Sequence, residues 1–117
     1  MLRKSLLLIP AYLLSVSCFA DDSLCNKLAT LAETSGASYH PPAEAKVIAN
    51  GQIRLYGAPN TGCEIQDAHI FQGNYLTVYQ SYKGWINVMY IAKDGIDFIG
   101  WLPDNKAKII GQYGHYH

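Results

Sequence analysis

The sequence predicts a mainly β domain: a small five- to six-stranded barrel with one N-terminal α-helix tethered to it by a disulfide. Three observations predict it. Between Lys46 and Gly111, short runs rich in Val, Ile, Tyr and Trp are separated by clusters of Gly, Asn, Asp and Pro, the composition of strands and tight turns. Ahead of them stands one apolar pattern with helical spacing, Leu24, Leu28 and Leu31. Cys25 and Cys63 form an even pair once Cys18 is assigned to an exported leader.

That leader is expected over residues 1–20. Arg3 and Lys4 precede an apolar run from Leu6 to Phe19, and small Ala20 stands before acidic Asp21 and Asp22, which is the pattern of a secretory signal peptide cleaved after Ala20. The run is too short to span a bilayer comfortably, so no stable membrane span is expected. Lipoprotein processing at Cys18 is the less favoured alternative, because Ser15 occupies the position where a large aliphatic residue would be expected. The remaining 97 residues hold seven basic and nine acidic side chains, a single small domain with no charge excess suited to nucleic acid. Export to the periplasm or beyond places Cys25 and Cys63 in an oxidising compartment and predicts their disulfide. Closing 38 positions restricts the unfolded chain by about 4 kcal/mol in the loop-entropy model.

In chain order, residues 21–37 form the helix, with Ser23 as cap, Asp21 and Asp22 where the dipole favours acids, and an end near Ser35-Gly36. Residues 38–44 are expected as a linker, since Pro41 and Pro42 push their predecessors into extended geometry and end any helix. The barrel occupies residues 45–111. Its strands are Lys46 to Ala49, Ile53 to Tyr56, a polar and less regular one from Ile65 to Phe71, Tyr75 to Gln80, Trp85 to Tyr90, Ile96 to Leu102, and Ala107 to Gly111. The Tyr75 and Trp85 runs read as a hairpin with a four- or five-residue loop, and Asp94-Gly95 marks a second hairpin. Alternation assigns Leu76, Val78, Ile86 and Val88 to the core and turns Tyr75, Tyr79 and Trp85 outward. Trp101 beside Gly100 is expected in the core. Residues 112–117 are a tail.

Three ordered motifs resemble those of bacterial SH3 (SH3b) domains. Ile53-Arg54-Leu55-Tyr56-Gly57-Ala58-Pro59 is similar to the family's opening strand and loop, with one residue extra between Arg and Pro. Gly73-Asn74-Tyr75-Leu76-Thr77-Val78 is similar to its Gly-x-x-apolar-x-Val strand. Gly84-Trp85-Ile86-Asn87-Val88 followed by Gly100-Trp101-Leu102 resembles its paired Gly-Trp elements. The resemblance covers about two-thirds of the exported chain. It implies an SH3-like barrel that binds cell-wall peptide or another protein; as a free-standing exported copy, the chain reads either as such a binding module or as an inhibitor, including an immunity protein against a secreted wall-attacking enzyme.

The candidate ligand-binding residues are Tyr56, Tyr79, Tyr82 and Trp85, large half-polar side chains suited to peptide or protein recognition. The helix is the competing occupant of their face. Arg54 joins them as a holder of a ligand carboxylate, against the commoner arrangement in which such an Arg pairs with a local acid, here Glu64 or Asp67. His40, His69, His115 and His117 lack a closed ligand set, so no metal or other cofactor is expected. A cysteine nucleophile requires reduced Cys63, and paired carboxylates at useful spacing are missing. The reading is therefore a protein without catalysis, with cell-wall peptide or a periplasmic or secreted protein as partner.

Overall fold

The computed structural model describes residues 21–112. The leader expected over residues 1–20, with Cys18, and the tail beyond Gln112, with His115 and His117, lie outside the described residues.

Helix α1 (Asp22–Ser35) is followed by seven strands: β1 (Ala37–Val47), β2 (Gln52–Tyr56), β3 (Glu64–Phe71), β4 (Tyr75–Tyr82), β5 (Trp85–Ile91), β6 (Asp97–Pro103) and β7 (Ala107–Gln112). Single turns of 3₁₀ helix at Thr61–Cys63 and Asp104–Lys106 lead into β3 and β7. All strands belong to one antiparallel sheet in the order β3-β2-β6-β5-β4-β1-β7. Among the described residues no ladder joins the outermost strands β3 and β7, so the sheet is open and the expected closed barrel of five or six strands is not formed. The sheet nevertheless bends around one core. Ala45, Val47, Leu55, Ile70, Leu76, Val78, Ile86, Val88, Leu102 and Ala107, drawn from every strand, form one buried cluster. A flat sheet could not bring residues of both edge strands together in this way.

Alternation explains which side chains enter that cluster. Leu76, Val78, Ile86 and Val88 are buried as expected, while their odd-numbered neighbours face the outer side. A register shift between Val78 and Gln80 places Tyr79 in a bulge and pairs Gln80 with Asn87 on that outer side. The β4–β5 turn is tighter than the composition suggested. Tyr82 pairs directly with Trp85, leaving a two-residue loop in which Lys83 and Gly84 both take positive φ, 47° and 85°, the backbone of a type I′ turn whose twist suits the flanking strands.

Two further expectations are corrected. Residues 38–44 are strand rather than linker: β1 runs through them and pairs with β4 at Ala37-Ser38 and again from Ala43 onward. Pro41 and Pro42 fall in the interruption between those stretches, where their missing N–H groups are not required. Asp21, rather than Ser23, caps α1, its Oδ1 accepting from the Leu24 N–H at 2.8 Å. The face that this helix buries runs beside the leucine stripe: Ala32 is fully buried and Cys25, Leu28 and Ala29 are half-buried, whereas Leu24 and Leu31 stay exposed.

Candidate functional site

One row of the outer face explains how the helix is seated. Across β4, β5, β6, β2 and β3 the register aligns Gln80, Asn87, Trp101, Tyr56 and Glu64. At one end Cys25 is bonded to Cys63, immediately before Glu64, with Cα atoms 5.7 Å apart. At the other, Gln80 Nε2 donates to the Glu33 carbonyl at 3.1 Å. Helix α1 therefore lies across the sheet along this row, and its small residues Ala29 and Ala32 allow a close approach. Trp101, Asn87 and Gln80 are buried beneath it, Trp101 to 2% exposure. Trp101 is buried as expected, but in this second layer under the helix rather than in the main cluster.

The helix divides the predicted aromatic set in two. On the side toward the Lys83-Gly84 turn, Tyr82, Trp85 and Pro103 stand in one row. The Tyr56 and Trp85 rings meet edge to face, with centroids 5.5 Å apart and planes at 90°, a favoured aromatic geometry. Beside them a groove of about 240 Å³ is lined by Gln52, Ile53, Arg54, Tyr56, Pro103 and Lys106. Arg54 Nη1 donates to Glu64 Oε2, so the local acid anticipated for it is its partner. The Arg54 side chain remains 50% exposed at the groove. Lys83 lies over the Tyr82 ring, 5.3 Å from its centroid.

Tyr79 is on the other side of α1. Its hydroxyl donates to Met89 Sδ at 3.6 Å, away from the Tyr56–Trp85 pair. Four of the five candidate ligand residues are thus brought together, and Tyr79 is not. Sequence reasoning missed Pro103, Gln52 and Lys106 as groove residues. The antiparallel match of β2 with β6 brings them in, and a single chain carries no direct signal of that pairing.

A second, more polar cleft of about 520 Å³ lies where α1 meets the sheet, lined by Asp22, Asn26, Glu64, Gln66 and the disulfide. Both described cysteines are in that disulfide, so neither is a thiolate nucleophile. No group of three or more His, Cys, Asp or Glu among the described residues is placed to hold a metal. No helix among them is long and apolar enough to cross a membrane. The disulfide fits an oxidising extracellular or periplasmic compartment. Compared with family models, with curated proteins and with solved structures, the chain matches none.

Proposed function

We propose that the protein is a periplasmic SH3b-like binding module that engages a cell-wall peptide or an envelope protein in the groove beside Tyr56 and Trp85, without catalysis. The observation that carries this reading is the Tyr56–Trp85 edge-to-face pair against a groove with polar ends at Gln52, Arg54 and Lys106. The Tyr56 ring, braced by Trp85, supplies stiff contact area at low entropic cost, and the polar residues of the lining suit backbone and carboxylate groups of an extended peptide. Since Arg54 is already paired with Glu64, Lys106 is the better-placed cation for a ligand carboxylate.

The test is retention of the oxidised protein on purified sacculi, with partners isolated from periplasmic extract in parallel. Trp85→Ala and Tyr56→Ala are each expected to cost about 2 kcal/mol of binding, roughly thirtyfold in affinity, as anchor residues do. Tyr79→Ala, on the far side of α1, leaves retention unchanged. Retention that survives Trp85→Ala and Tyr56→Ala sinks the groove assignment. A single stoichiometric protein partner without sacculus binding selects the inhibitor or immunity reading instead.

A further inference from the structure

The outer face beyond α1, on the side away from the groove, is apolar, and no described element lies over it. Thr77, Met89 and Ile99 stand in one row across β4, β5 and β6. Continuing that register by two residues sets Tyr75 beside Ile91, which pairs with Asp97. Ile99 is 61% exposed, Ile91 57% and Tyr75 55%; with Ile96 at the adjoining hairpin tip, they are the most exposed large apolar side chains among those described. A soluble monomer seldom leaves such side chains contiguous.

The charges at the two ends of the outer row indicate what covers it. From Tyr75 the row continues through Lys46 on β1 to Lys108 on β7, and Lys46 Nζ lies 5.7 Å from the centre of the Tyr75 ring. From Ile91 it ends at Asp97, near Asp94 of the hairpin turn. One end is therefore basic, the other acidic, and the middle apolar. Glu44 beside the basic end and Lys93 beside the acidic end reduce this polarity without reversing it. A two-fold axis lying in the interface and running along the strands would place the lysine end of one copy over the aspartate end of the other, and Tyr75 of one copy over Ile91 of the other. Such a strip is complementary to itself, as an isologous interface requires.

We infer that this face is the interface of a homodimer, packed outer sheet to outer sheet through Tyr75, Met89, Ile91 and Ile99, with Lys46 and Lys108 opposite Asp97 of the second copy. The Tyr56–Trp85 groove lies across α1 from it and stays open in both protomers.

Sedimentation equilibrium on the oxidised exported protein tests this. The expected result is a reversible monomer–dimer equilibrium that weakens as salt is raised. Ile99→Glu is expected to weaken it by roughly tenfold or more, a change that 1.4 kcal/mol produces, with an unchanged far-ultraviolet dichroism spectrum because Ile99 is exposed. Asp97→Lys alone and Lys46→Asp alone each weaken self-association. Mixed together, the two variants associate more tightly than either does alone, because both contacts between positions 46 and 97 in the mixed dimer are again between opposite signs. A protein that stays monomeric to about 1 mM, a dimer indifferent to Ile99→Glu, or a mixture that fails to re-associate overturns the interface.

Discussion

Ile99 and Trp101 are two residues apart on β6 and face the same side of the sheet, yet one is the most exposed large apolar side chain described and the other is 2% exposed. The difference is α1, which crosses the row of Trp101 and leaves the row of Ile99 open. Their truncations should therefore diverge. Trp101→Ala removes a large buried ring and is expected to cost about 3–5 kcal/mol, whereas Ile99→Ala, measured where the protein is monomeric, should fall within about 0.5 kcal/mol. Urea denaturation of the two variants checks this. Comparable losses would mean that the helix does not protect Trp101. Gly100 between them has a packing reason of its own. A Cβ there would lie 2.9 Å from the Tyr56 carbonyl oxygen and from Ile65 Cδ1, so the close passage of β2 over β6 requires its absence.

At the scale of elements, the β4–β5 hairpin is held by a backbone that few residues adopt. Gly84→Ala forces an L side chain into positive φ and is expected to destabilise by about 1–2 kcal/mol; a variant as stable as the parent in thermal unfolding would show that the turn readily takes another form. The strands themselves were legible because each has one aliphatic face and punctuating turns, and Leu76-x-Val78 and Ile86-x-Val88 point inward as their alternation predicts. Of the first strand only the end at Lys46-Val47 was legible. Tyr39-His40-Pro41-Pro42 reads as a break, and only the interrupted ladder to β4 makes room for two residues without donors. The helix was visible, but its seating was not. Three leucines outweigh two alanines in hydrophobicity, whereas contact with a sheet through a short disulfide tether selects the small residues. The site divided along the same line. Tyr56, Tyr82, Trp85 and Arg54 could be chosen as outward-facing or loop-proximal from sequence, but Tyr79 could not be separated from them without the bulge at its position and the path of α1.

At the scale of the whole molecule, the sheet does not close on itself among the described residues, and the helix laid on it is held by the Cys25–Cys63 bond and by the Gln80 hydrogen bond to Glu33. The disulfide is the stronger attachment. It closes a loop of 38 positions, and its loss is expected to cost up to about 4 kcal/mol through the entropy regained by the unfolded chain. For a domain of this size that corresponds to a fall in Tm of roughly 15–30 °C. The loss has a spectroscopic signature as well as a thermal one. With Trp85→Phe in place, Trp101 is the only tryptophan, so its emission reports the seating of the helix. Reduction at a temperature where the sheet remains folded should release the Cys25 end of α1, admit water to the row beneath it and shift Trp101 emission to the red. Cys25→Ser should reproduce both the lower Tm and the shift. If reduction lowers Tm but leaves the emission unchanged, the bond acts only on the unfolded chain and packing of Ala29 and Ala32 suffices to hold the helix; if neither moves, the tether has no part in the stability of the fold.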